Sequence, residues 1–394
     1  MQIKFVNRIG YYFNLFVNKL KGRLARLKVI SLQPDRPSRG NVLISHVLEP
    51  FCLKPGEPIP NTHTHYWECM QMAKTFLDLG YCVDVISLFN DKFIPKKHYS
   101  IFVDVRWNLE RLSSSLSQDC VKILHIDTAH FLFHNAAECQ RLLELQQRRG
   151  VTLSPRRFHM PTQAIEYADC ATVLGNEFTM NTFRYANKPL YRVPISALET
   201  YPFPQDKDFE ACRQNYLWFG SGGMVHKGLD LVLEAFAQMP EYHLTVCGPV
   251  DGEQDFEKAF DKELYHTPNI YTYGWIDVSS TDFLKITNSC AGIIYPSCSE
   301  GGAACVIMCM HAGLIPIVSY EASVDVREDY GVILKESSVE EIKSTIRRIS
   351  SLSANEIENM AKKAWEFARA NHTKEKFAQE YRSAIEKIIA TYCN

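Results

Sequence analysis

From Asn41 onward the chain alternates between short apolar runs and longer stretches in which apolar residues recur every three or four positions. Asn41–His46 (NVLISH) is the first run, and 66–79 carries the first helical period, stopped by Gly80. Further runs lie at 83–88, 101–103, Val121–Ile126 and 171–174, with helical sequence between them up to Gly150 and again up to Ala186. Runs this short and apolar on both faces fit strands covered by helices on two sides. The order strand, turn, helix therefore predicts a parallel, doubly wound sheet. Segment 188–208 holds four prolines and little periodicity, and reads as a linker. A second series follows, with strands at 216–220, His243–Cys247, 270–273, 291–295 and 314–318. Its helices fall at 226–238, 255–264, Thr281–Asn288 and 302–312. The expected fold is α/β: two Rossmann-like doubly wound parallel-sheet domains, 40–195 and 209–372, facing a central cleft. A last amphipathic pattern at 374–389 makes 373–394 a C-terminal helix.

Residues 1–34 follow a different rule. Ile9, Phe13, Phe16, Leu20, Leu24 and Leu27 fall on one helical stripe roughly 80° wide, and Pro34 and Pro37 end the pattern. No acidic residue precedes Asp35, whereas Lys4, Arg8, Lys19, Lys21, Arg23, Arg26 and Lys28 give the arm a charge of +7. The whole chain carries -2, so the remainder is -9 and offers no general footprint for nucleic acid. A basic amphipathic helix with aromatic residues suits an anionic membrane surface; docking on the protein itself is the alternative. Thirteen cysteines are scattered through apolar runs without a C-x-x-C pair, as expected for buried thiols in a reducing compartment. With no apolar run of spanning length and no signal-peptide pattern, the expected location is cytoplasmic, peripheral at the inner face of the membrane.

Two segments carry chemistry. WFGSGGMVHKGLD (218–230) runs from a strand through a glycine loop into a helix. Gly220, Gly222 and Gly223 let backbone approach a ligand, the helix start favours an anion, and Lys227 can place a point charge on a diphosphate. A plain tight turn is the alternative. IYPSCSEGGAACVIMCMHAGLIP (294–316) puts Glu300 at a strand's carboxyl end, where a carboxylate can accept hydrogen bonds from sugar hydroxyls. The amides of Gly301, Gly302 and Ala303 can cradle a phosphate at the following helix start. The alternative is a glutamate that stabilises a helix N-terminus.

These two segments, in this order, resemble the C-terminal domain of family-four glycosyltransferases of the GT-B architecture. That family carries a G-R…K-G loop, then E-G-x-x-x-x-x-x-E followed by A-M-A-x-G-x-P. Gly220, Lys227 and Gly228 match the first; Glu300, Gly301, Met310, Gly313 and Pro316 match the second, the proline one place late. The resemblance covers 216–318 well and the N-terminal half in outline. It implies donor-sugar transfer with retention, no bound metal, and no cofactor beyond a nucleotide-sugar co-substrate, a UDP-sugar foremost. Two positions depart from the family: its loop arginine is Ser221 here, and its second, ribose-holding glutamate is Met308. The same resemblance assigns the nucleobase to the turns containing Gly248 and Gly274, Trp275, Ile276.

In the N-terminal half, NTHTHYW (61–67) places Asn61, His63 and His65 where loops would touch the acceptor and the donor phosphate. In VKILHIDTAHFLFH (121–134), the resemblance puts His125, Asp127 and His130 near where the family often has a histidine facing the donor sugar; they are catalytic or hydrogen-bonding groups there, unless the histidines are structural. Metal binding by these histidines is the lesser reading. Arg148, Arg149, Arg156 and Arg157 cluster around a Ser-Pro; they either bind an acceptor's phosphates or form a solvated surface. The function expected is transfer of a sugar to a polysaccharide, glycolipid or lipid-linked acceptor. A nucleotide-sugar epimerase and a non-catalytic scaffold of the same fold are the alternatives.

Overall fold

The computed structural model describes residues 26–54 and 56–393. Strands β1 (Val29–Leu32), β2 (Asn41–His46), β3 (Cys82–Ser87), β4 (Ile101–Asp104), β5 (Val121–Ile126), β6 (Cys170–Val173) and β7 (Leu190–Arg192) form one sheet, in the order β1-β3-β2-β4-β5-β6-β7. Only β1 runs antiparallel, along β3. The central strands are buried on both faces, which is why they read as unbroken apolar runs. The second sheet contains β8 (Asn215–Phe219), β9 (His243–Cys247), β10 (Ile270–Gly274), β11 (Gly292–Tyr295), β12 (Ile315–Ser319) and β13 (Val332–Leu334). Its order, β10-β9-β8-β11-β12-β13, is entirely parallel and is the doubly wound dinucleotide-fold order.

The structure corrects several boundaries. The arm's pattern was expected to stay helical up to Pro34, but Val29–Leu32 is an edge strand. Val29 and Ser31 face outward, and Ile30 and Leu32 lean on the N-terminal core. Residues 1–25, with all of the stripe except Leu27, lie outside the described residues; Leu27 itself is exposed. The proline-rich 188–208 is not wholly a linker, because β7 adds to β6 there through Ala171↔Leu190. Two half-buried edge residues and an exposed Arg192 leave no apolar run to detect. The helix expected from 226 starts at Leu229, since Gly228 takes a left-handed φ of 72°. The helix expected at 255–264 is two, Gln254–Ala259 and Asp261–His266.

The helix Lys374–Tyr392 returns to the N-terminal domain. Phe377, Tyr381, Ala384, Ile385 and Ile388 are buried with Val42, Ile44, Met72 and Phe76 in one core. The preceding helix, Ala354–Asn371, packs against Ala304–His311 in the other domain. The domains also meet through side chains. Arg148 binds Asp230 at 2.6 Å, Arg149 binds Glu263 at 2.7 Å, and Arg156 binds Asp255. Glu68 accepts from the Ser196 amide and hydroxyl at 3.0 and 2.8 Å. No helix among the described residues is long and apolar enough to cross a membrane.

Candidate active site between the two sheets

In each sheet the strand order reverses once, between β8 and β11 and between β2 and β4. Ligands of such sheets bind beyond the carboxyl ends of the strands at that point. The loops after β8, β11, β2 and β5 meet there around a cavity of about 390 Å³. Gly228 brings the β8 and β11 loops together: a Cβ on it would lie 2.5 Å from Pro296 O, so only glycine permits the approach.

That approach sets Lys227 beside Glu300. Glu300 Oε1 accepts from Lys227 Nζ and Tyr295 OH, both at 2.8 Å, and from Ser297 Oγ at 3.0 Å. Burial raises the Glu300 pKa, but Lys227 and its neighbours outweigh this and hold the carboxyl well below the usual range. Its Oε2 takes no hydrogen bond among the described residues and is left for a ligand in the cavity Glu300 lines. The amides of Gly301, Gly302, Ala304 and Cys305 likewise have no protein acceptor among the described residues, whereas the Ala303 amide is bonded to Ala322 O at 3.1 Å. The open amides thus differ from those expected: that of Ala303 is spent within the protein, while those of the first two residues of the helix Ala304–His311 are unbonded.

On the facing wall, Asp127 follows β5 and is held in a two-pronged bond by Arg106, with Nη2 2.9 Å from Oδ2. Burial pushes its pKa up, yet Arg106 and His65 (Nε2 3.5 Å away) bring it well below the carboxylate range. His63 caps the helix Thr64–Asp78, its Nδ1 accepting from His65 N at 3.2 Å, and its ring lies 4.1 Å from that of His65. Burial lowers the pKa of both, and that of His159 to about 3, so all three rings are neutral near pH 7. Asn61 Nδ2 reaches across to Asp277 Oδ1 at 3.1 Å. Gly301 touches the Asp127–Thr128 backbone so closely that a Cβ there would collide with Asp127 O.

Residues 214–367 match the family model for glycosyl transferases group 1. The match covers the second sheet domain and less than half of the chain. No curated protein matches the sequence. Among solved structures, sucrose-phosphate synthase from Thermosynechococcus elongatus superposes with a TM-score of 0.63 at 15% identity, covering 90% of this chain and all of that one. HepE from Anabaena, in complex with UDP and glucose, gives 0.57 at 12%, covering 89% and 100%. TarM from S. aureus, in complex with fondaparinux, alpha-GlcNAc-glycerol and UDP, gives 0.51 at 12%, and the chain spans 56% of its length. These likenesses establish the GT-B fold.

Of the residues singled out in the sequence, the fold brings Gly220, Ser221, Lys227, Gly248, Trp275, Ile276, Glu300, Gly301, Gly302, Ala303, Met308, Asn61, His63, His65 and Asp127 to one cavity. Others lie elsewhere. The amides of Gly223 and Met224 are taken by the Glu253 carboxylate, and Gly222 sits against the same group, so that loop's anion site is filled by the protein's own side chain. Gly274 stays behind the wall, its carbonyl accepting from Gly248 N at 2.8 Å.

The two remaining histidines are not in the cleft. His125 is fully buried beneath Asp127 with Nδ1 2.8 Å from Thr172 Oγ1, and burial lowers its pKa to about 4. His130 caps the helix Phe131–Arg149 and bonds Tyr185 OH at 3.0 Å, lining a second cavity of about 280 Å³. No group of three metal-ligating side chains is arranged around an ion site among the described residues. Sequence reasoning missed Arg106, His159, Asp277 and Tyr295 as cavity residues. Only Tyr295, the last residue of a strand running into the Glu300 loop, carried a usable signal.

Proposed function

We propose that the protein transfers a sugar from a UDP-sugar to a saccharide or lipid-linked acceptor, with retention at the anomeric carbon, and that it does so at the cytoplasmic face of a membrane. The observation that carries this is the Lys227–Glu300 pair, set where both sheets reverse and open to the same cavity. Lys227 and the free amides of Gly301, Gly302, Ala304 and Cys305 are preorganised for the charge that develops on a departing diphosphate. Glu300 Oε2 is free to accept from sugar hydroxyls. The base would rest between Gly248–Pro249 and Trp275–Ile276, and the ribose would meet Met308 without a carboxylate to hold it.

Retention is supported by the state of the carboxylates. Asp127 and Glu300 are each held by a cation and are poor proton acceptors. The bond from the anomeric carbon to the diphosphate breaks with its electron pair leaving on the phosphate oxygen, and that oxygen takes the acceptor hydroxyl's proton as the new bond forms on the same face. The acceptor would enter from the N-terminal domain, where the second cavity shares Arg106, Asp127, Thr128 and His159 with the first. Membrane attachment rests on the arm's stripe and +7 charge. Beyond the nucleotide-sugar, the reaction as drawn uses no cofactor.

The test is calorimetric titration with UDP. Binding by the native protein and a loss on the order of ten- to a hundredfold in Lys227→Ala are expected. A native protein that binds none of the uridine, guanosine and adenosine diphosphates would refute the reading.

A further inference from the structure

The charges around the cavity nearly cancel. Lys227 is paired with Glu300 at 2.8 Å and Arg106 with Asp127, while His63, His65 and His159 are neutral. Asp277 adds an uncompensated negative charge. A diphosphate entering such a site needs a further cation, and among the described residues one lines the cavity without a carboxylate partner: Arg157. Its companions in the arginine cluster are committed across the domain seam, Arg148 to Asp230 and Glu234, Arg149 to Glu263, and Arg156 to Asp255. Arg157 Nε is buried and makes no hydrogen bond among the described residues.

The backbone of Arg157 is nevertheless held firmly. Its amide donates to both Glu138 oxygens at 2.9 and 3.1 Å, and its carbonyl accepts from His134 Nε2 at 2.7 Å. His134 in turn packs 4.6 Å from His226 of the opposite domain. The Arg157 stem crosses the β8 glycine loop directly over Gly223, where a Cβ would come within 2.6 Å of its Cγ and 2.9 Å of its Cδ. Gly223 thus serves the passage of a side chain from the other domain, while its own amide is bonded to Glu253.

We propose that Arg157 is the residue that grips the donor's diphosphate from the N-terminal domain, opposite Lys227. This rests on the nucleotide-sugar reading above and names the cation that reading leaves wanting at Ser221. A guanidinium presents paired donors suited to phosphate oxygens. Because Arg157 and Lys227 belong to different domains, the diphosphate joins them, and donor binding tightens the cleft.

The test uses the full chain with Arg157→Gln and Arg157→Lys, titrated with UDP and with uridine. Arg157→Gln is expected to weaken UDP on the order of ten- to a hundredfold while leaving uridine unchanged, with Arg157→Lys between it and the native protein. Thermal unfolding without ligand should match the native protein, since the guanidinium is bonded to no group among the described residues. UDP affinity within twofold of native in Arg157→Gln overturns the inference, as does a parallel loss of uridine. In either case a native protein that binds UDP leaves the nucleotide-sugar reading standing, whereas a native protein that binds no nucleoside diphosphate removes both.

Discussion

Replacing Glu300 by glutamine separates what its charge does for stability from what it does for transfer. The amide oxygen can still accept from Lys227, Tyr295 and Ser297, so shape and hydrogen bonds are largely kept. The charge is not. The Lys227 side chain is only 4% exposed, and its counterion is 13% exposed, so the ammonium is left buried without compensation. Removing one member of a buried pair costs about 3–5 kcal/mol, and the retained hydrogen bonds place this case near 3. For a domain of this size that lowers Tm by roughly 6–12 °C. UDP should reverse much of it: a diphosphate restores negative charge beside Lys227, and at a hundredfold excess over Kd a ligand adds about 2.7 kcal/mol. UDP affinity should therefore hold or improve. Transfer should fall on the order of ten- to a hundredfold per folded molecule, because the sugar loses a charged acceptor. Differential scanning fluorimetry with and without UDP, alongside product assay on the same preparations, reads all three. Native transfer together with lowered Tm would make Glu300 a structural residue; a large loss of UDP affinity would contradict the charge argument.

Glu68 gives a pH-dependent test. Burial outweighs its bonds from Ser196 and raises its pKa from 4.5 to about 7. The folded state therefore holds a proton that the unfolded state has lost, and this contribution is full below about pH 4.5 and vanishes as pH rises through 7. It amounts to about 3 kcal/mol, so urea unfolding of Glu68→Gln should gain on the native protein by that much from pH 4.5 to 8; parallel curves would show that the carboxyl is already ionised. Deleting residues 1–25, which spares β1, should leave folding and UDP binding intact and abolish co-sedimentation with phosphatidylglycerol vesicles. Equal sedimentation of both forms would remove the arm from membrane attachment.

Most inner strands of both sheets were legible because parallel strands between helix layers are buried and largely apolar on both faces, as at Val121–Ile126 and Gly292–Tyr295. The short edge strands were not: β1, β7 and β13 span three or four residues each and are partly exposed, and only their pairing partners reveal them. At the site, the spacing of Lys227 and Glu300 marked each residue, but not that each neutralises the other. That fact depends on Gly228 packing against Pro296. His130 sat in a chemically suggestive stretch, yet the turn into the next helix spends its Nδ1 on the Leu132 amide. The Gly223 amide is likewise spent out of sight of the local sequence, since its acceptor, Glu253, lies on another loop. Local pattern reports faces and turns; it does not report which partner a polar group has already found.

The return of helix Lys374–Tyr392 to the first domain has a consequence for how the chain is made. The core around Met72 and Phe76 lacks Phe377, Tyr381 and Ile388 until the entire second domain has left the ribosome. At about 5–20 residues per second, that interval is on the order of 10–30 s. Throughout it the first domain presents an open apolar groove while the second, whose strands β8–β13 are continuous in sequence, can complete itself. Order of synthesis and order of completion are thus inverted. A message cut just after codon 372 would deliver a finished second domain attached to an unfinished first, a species suited to capture by chaperones or proteases.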